Sequence, residues 1–127
     1  MTEKEINAMS ALALAHMGDA VFELRVRTML CTGGLSVNGN LHRETISRVC
    51  APAQAKFADK ILPILTEQEL AVYKRGRNAH VRSIPKNATA SQYGKATGVE
   101  ALFGWLHLRG QQDRIDELFR LGQEEEE

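Results

Sequence analysis

The sequence predicts an all-α fold on three observations. Apolar residues recur at helical spacing along most of its 127 residues, caps and glycine or proline stops separate those stretches, and no run alternates with the period of a strand. A chain of this length supports one core. A single domain is therefore expected over residues 1–123, with the acidic run Glu124 to Glu127 as a solvated tail.

The first long helix is expected over residues 10–31, which lack proline and contain one isolated glycine, Gly18. Leu14, Met17, Val21 and Leu24 form one apolar stripe there, and Phe22, Val26, Met29 and Leu30 a second, so both sides should be covered. Gly33-Gly34 ends it, and Asn38-Gly39-Asn40 supplies caps and turns before a second helix over Leu41 to Cys50. Pro52 suits the first turn of a third helix carrying Ala55, Phe57, Ala58, Ile61 and Leu62. Thr66 with Glu69 is a capping-box pattern for a fourth, running through Tyr73 toward Arg77. Residues 79–90, with Pro85, Asn87 and several Ser and Thr, read as a loop. Ala96 to Leu108 is densely apolar, and Asp113 is placed to cap a last amphipathic helix.

Hydrophobic residues at 43% and charged ones at 25% exclude a wholly disordered chain. Formal net charge is zero, but the tail holds four of the sixteen acids, which leaves residues 1–123 at +4. The polar opening and the lack of any membrane-length apolar run give an expectation of a cytoplasmic protein with no membrane partner. Cys31 and Cys50 have neither CxxC nor zinc spacing, so reduced thiols are expected.

Two carboxylates stand out. On a helical wheel Asp19 falls among Leu12, Ala15, Phe22, Val26 and Leu30, on an apolar flank. Glu100 sits in Val99-Glu-Ala-Leu-Phe-Gly-Trp-Leu-His-Leu, apolar around the whole helix apart from Glu100 and His107. A buried carboxylate needs a partner or a metal. Converging on a divalent cation, these two would suit magnesium, which takes one or two carboxylates and shares substrate phosphate oxygens. Ordinary ion pairs with Arg25, Arg27, Arg75 or a histidine account for the same pattern. Glu23 is expected to pair with Arg27 one turn on, and His16 and His107 to make ordinary polar contacts.

From Leu70 to Val99 there is no acid, whereas Lys74, Arg75, Arg77, Arg82, Lys86 and Lys95 all occur there. Such a strip offers donors for phosphates and ribose hydroxyls, and equally suits a solvated basic loop. Its only aromatics are Tyr73 and Tyr93. Backbone recognition of a duplex is thus better supported than base stacking on a single strand.

The run Ala15-His-Met-Gly-Asp-Ala-Val-Phe-Glu, continuing into Leu24-Arg-Val-Arg, resembles the signature of the ribonuclease III family, most closely its mini-ribonuclease III branch. Leu41-His-Arg with Pro52-Ala-Gln-Ala, then Lys74-Arg-Gly-Arg-Asn-Ala, then Pro85-Lys-Asn before Ala96-Thr-Gly-Val-Glu-Ala-Leu-Phe-Gly-Trp-Leu-His-Leu, follow in that branch's order. The resemblance implies an all-helical homodimeric endonuclease domain, with Mg2+-dependent cleavage of double-stranded RNA. Asp19 and Glu100 map onto the family's catalytic metal ligands, while Ala15 and Thr97 stand where larger members carry two further carboxylates. Lys74, Arg75, Arg77, Asn78 and Lys86 are the expected RNA contacts, since no separate duplex-binding domain follows. Two sites facing opposite strands would leave 5′-phosphate and 3′-hydroxyl ends, and the implied role is maturation of large-subunit (23S) ribosomal RNA. The alternatives are a noncatalytic duplex-RNA-binding ribosome-assembly factor and a helical protein-interaction module.

Overall fold

The computed structural model describes residues 1–33, 40–79 and 87–123. Its helices are α1 (Glu3–Asn7), α2 (Ala11–Thr32), α3 (Leu41–Val49), α4 (Ala51–Ile61), α5 (Glu67–Arg77), α6 (Ala90–Leu108) and α7 (Gln112–Gly122), with a 3-10 turn at Leu62–Ile64. The described residues include no strand. Helix α6 is the axis of the molecule, and α2, α4 and α5 pack around it. Every side chain from Ala96 to Leu106 is buried except Glu100, so the all-round apolar run becomes the central helix, as its pattern requires.

Glycine lets the helices approach this axis closely. A methyl group at Gly18 of α2 would collide with the Glu100 carbonyl, and one at Gly104 of α6 with the Leu14 carbonyl, lying also 3.0 Å from the Gly18 nitrogen. On a neighbouring face of α6 a methyl at Gly76 of α5 would come within 2.9 Å of the Gly98 Cα, and one at Gly98 within 2.6 Å of the Tyr73 ring. Backbone thus meets backbone where any larger residue would hold the helices apart. Between α2, α4, α6 and α7 the rings of Phe22, Phe57, Phe103 and Phe119 meet, mostly edge to face, with centroids 5.0–6.1 Å apart.

The caps read from the sequence are present where side chains can reach. Ser10 Oγ accepts from Ala13 N at 3.1 Å to open α2. At α5, Glu69 N donates to Thr66 Oγ1 and Thr66 N to Glu69 Oε1, at 3.2 and 2.8 Å. Two expectations are corrected and one helix is new. Helix α6 begins at Ala90, two turns before its apolar run, because Thr89 and Gln92 form a reciprocal capping box at 3.0 and 3.1 Å. Asp113 lies inside the first turn of α7 and caps nothing; Gln111 holds the cap position without a side-chain bond. The short α1 was not foreseen. Two residues of the C-terminal half secure it: Trp105 Nε1 donates to Asn7 Oδ1 at 2.8 Å, and Arg109 stacks 4.1 Å from the Trp105 ring while pairing with Glu3 at 2.9 Å.

Leu24 departs from its stripe and is 63% exposed, whereas Leu14 and Val21 are buried as expected. Cys31 and Cys50 are free thiols. No helix among the described residues is long and apolar enough to cross a membrane.

Glu69 does more than cap α5. Its carboxylate is buried and receives Arg114 Nε and Nη2 at 2.8 and 2.7 Å, joining α5 to α7. Burial pushes the Glu69 carboxyl up, but the Arg114 guanidinium and the Thr66 N–H outweigh it and hold it below its ordinary 4.5. That stabilisation is fully present above pH 4.5 and fades as pH falls through the folded value. Glu69→Gln should lower stability at pH 7 by about 2 kcal/mol and reduce the loss in acid, as read from urea melts at pH 7 and pH 3.

Candidate metal and RNA-binding site

Asp19 follows Gly18, the residue pressed against the Glu100 carbonyl, and the glycine contact thereby brings the two carboxyl groups together across the α2–α6 crossing. They lie within hydrogen-bonding reach of each other. Glu100 is partly buried, whereas Asp19 is exposed. Of the apolar residues on its flank Ala15, Phe22, Val26 and Leu30 are buried and Leu12 is 46% exposed, so the flank is apolar as expected, but Asp19 stands at its solvent edge, which corrects the expectation that it is turned away from solvent.

Burial, then the hydrogen bond to Asp19 and its charge, push the Glu100 carboxyl up to about 9 from its ordinary 4.5, while the Gln54 amide beside it pulls the other way. Two carboxylates held this close repel unless a proton or a cation lies between them. The cations that offered an ordinary ion-pair explanation are engaged elsewhere. Arg25 pairs with Asp116 and donates to Gln112 Oε1 at 2.7 Å. Arg27 pairs with Glu23 at 3.1 Å, as expected. Arg75 Nη2 donates to the Met9 carbonyl at 2.8 Å.

His107 Nδ1 meets Gln112 Nε2 at 3.0 Å, an ordinary polar contact, and His16 is exposed. Ala15 is buried, and Thr97 donates its hydroxyl to the Tyr93 carbonyl at 3.0 Å, so neither position adds a ligand. Among the described residues no group of three or more His, Cys, Asp or Glu side chains converges. The donor set is therefore lean: two carboxyls, one at the solvent rim and one in the packed face. It fits a hard divalent cation that completes its shell with water and substrate oxygens, and it does not fit zinc, which takes nitrogen and sulfur ligands in closed sites.

Lys74, Arg75, Arg77 and Asn78 are all exposed at the end of α5. Gly76 and the Arg77 carbonyl lie against Gly94 to Ala101 of α6, which places the α5 terminus along the same helix that carries Glu100. Arg77 Nε donates to Asn78 Oδ1 at 3.2 Å. Arg75 is partly committed to the fold through Met9, and Lys95, also in the acid-free strip, pairs with Asp59 at 2.8 Å. Lys86 and Arg82 lie outside the described residues. Tyr73 is 1% exposed and packed on Gly98, so it offers no stacking face.

In the sequence Gln54 stands only as part of Pro52-Ala-Gln-Ala, without a role of its own. Its signal was the single amide among Ala55, Phe57, Ala58 and Ile61, all buried on α4.

Residues 12–111 match the profile of the ribonuclease III domain. The chain belongs to the ribonuclease III family. Within it, the chain is 43% identical over 109 residues to the Mini-ribonuclease 3 of Symbiobacterium thermophilum, covering 86% of this chain and 84% of that protein. It is 38% identical over 121 residues to the Mini-ribonuclease 3 of Clostridium tetani, covering 94% and 80%. A crystal structure of a protein from Fusobacterium nucleatum superposes with a TM-score of 0.82 at 28% identity, over 91% of this chain and 93% of that one. The branch resemblance holds, and the chain is an endoribonuclease of this family with its all-α fold.

Without a cation, the folded protein holds the Glu100 proton between pH 4.5 and about 9 while the unfolded chain releases it, so this group favours unfolding increasingly as pH rises. Glu100→Gln should therefore melt higher than wild type in chelator at pH 7.5, by about 1–3 kcal/mol, with the gap closing near pH 4.5. Thermal melts at the two pH values check this.

Proposed function

We propose that this ribonuclease III-family chain cuts double-stranded RNA with Asp19 and Glu100 as its catalytic, metal-holding carboxylates and Mg2+ as the cation. The observation that carries the reading is the pair of carboxyls facing each other across the glycine-locked α2–α6 crossing, with the neighbouring arginines engaged elsewhere. A divalent cation held there would activate a water for attack on the scissile phosphate and offset the charge that develops. Asp19, at the rim, meets the approaching phosphate, and Glu100, fixed in the packed helix, sets where the cation sits.

Lys74, Arg77 and Asn78, with Lys86, bind the RNA backbone as a strip of point charges and forked donors, and Arg75 contributes while also holding Met9. Two copies pair into a homodimer whose sites cut opposite strands. Leu24, 63% exposed on α2, is a large apolar side chain that such a pairing would cover. Hydrolysis leaves 5′-phosphate and 3′-hydroxyl ends, and the substrate is the 23S ribosomal RNA precursor in the cytoplasm.

End-labelled duplex RNA should be cut by wild type only with Mg2+, and Asp19→Asn or Glu100→Gln should each lose at least about a hundredfold in rate while still binding duplex. Full cleavage by either variant would overturn the site assignment. Lys74→Ala and Arg77→Ala should each weaken duplex binding and lower the slope of log affinity against log salt by about 1, without altering cleavage at saturating RNA. Arg75→Ala should also lower the melting temperature, since it strips the Met9 carbonyl of its donor. Filter binding across a salt series and a parallel melt separate the two effects.

A further inference from the structure

Gln54 is 2% exposed, and it is the polar exception on the buried face of α4, among Ala55, Phe57, Ala58 and Ile61. An amide in such a place is costly unless it is hydrogen-bonded, and an apolar residue of the same size would pack there without that cost. Its Nε2 nonetheless makes no hydrogen bond of good geometry with any described group. Helix α4 packs directly on α6, and the polar group that the Gln54 side chain lies against is the Glu100 carboxyl. The buried, unpartnered amide thus lies beside one of the two candidate ligands.

We propose that Gln54 is a positioning residue for Glu100: its side-chain N–H binds one oxygen of the Glu100 carboxylate and turns the other toward Asp19 and the cation. This rests on the metal-site reading above. A ligating carboxylate has two oxygens, and a site is well defined when the one not facing the metal is fixed by a second hydrogen bond. In larger family members further carboxylates share the task of defining the site; here Ala15 and Thr97 add none. A donor from a third helix fixes Glu100 without adding negative charge to a pair that already repels.

The test is direct binding of Mn2+ by electron paramagnetic resonance to the full chain, without RNA, for wild type, Gln54→Met and Glu100→Gln. Methionine keeps the length of glutamine and removes the donor. Gln54→Met should melt no lower than wild type yet bind Mn2+ about 10–100-fold more weakly, and its cleavage should need correspondingly more Mg2+, approaching the wild-type rate at saturation. Wild-type binding that is lost in Glu100→Gln but unchanged in Gln54→Met overturns the role of Gln54 alone. Equal binding by wild type and Glu100→Gln overturns the metal site itself. If Gln54→Met fails to fold, the side-chain amide resonances of Gln54 in wild type decide the matter: they move when Mg2+ is added if the amide donates to Glu100, and stand still if it does not.

Discussion

Backbone contact between α2 and α6 is the constraint on which the rest depends. Gly18 faces the Glu100 carbonyl and Gly104 faces the Leu14 carbonyl, so the two helices touch where a single added methyl would force them apart. This contact does two things at once. It closes the core, allowing Phe22 and Phe103 to meet at 5.5 Å, and it fixes the spacing of the carboxyls that follow directly from it in sequence and space. Fold and site therefore share one determinant, and a substitution at either glycine would act on both. The α5–α6 contact through Gly76 and Gly98 repeats the device on a neighbouring face of α6. It brings the exposed bases of α5 alongside the helix that carries Glu100.

A fold assembled around that contact carries an unfavourable feature at its centre. Burial and a neighbouring carboxyl raise the Glu100 pKa to about 9, which means that at neutral pH the ion is disfavoured in the protein as it stands. A protein selected for stability alone would place an apolar residue or a glutamine there. Under the proposed function a divalent cation would relieve the conflict, because its charge inverts the local preference and favours the ionised carboxylate. The contrast with Glu69 is instructive: its carboxylate too is taken out of solvent, yet Arg114 and the Thr66 N–H satisfy it and hold its carboxyl below the ordinary range. One acid has a permanent basic partner within the fold; the other has a second carboxyl as its neighbour.

Much of this was legible in the sequence, for identifiable reasons. Long helices with strong periodicity and local caps, α2 and α5, came out within a residue or two, because their ends are set by Ser10, Thr66 and Glu69, residues close in sequence. Helix α6 was started too late because its first turns, Ala90 to Lys95, are polar and only the Thr89–Gln92 box reveals them. Helix α1 does have a local signal, the Thr2–Glu5 capping box, but five residues are too short to show an apolar period, and its anchors Trp105 and Arg109 lie about a hundred residues away. At the site, the residue identities of Asp19 and Glu100 were readable from their misfit with an apolar pattern, but their exposure was not. Whether a flank faces a neighbour or the rim is decided by which helix packs there.

Gln54 shows the same limit from the other side. As a lone amide in Pro52-Ala-Gln-Ala it carries no chemistry, and a wheel places it merely on a buried face. It gains meaning only once α4 is seen against α6, with its donor unsatisfied and Glu100 its polar neighbour. The general signal is a pair of local violations that meet in space: a buried donor without an acceptor and a buried acid without a base. Each alone costs stability, and a fold tolerates many isolated flaws of that size. Their coincidence where the exposed Asp19 and the partly buried Glu100 face each other favours a site over a packing defect, because a cation held there, as proposed, would satisfy the acids directly and, by orienting Glu100, the amide as well.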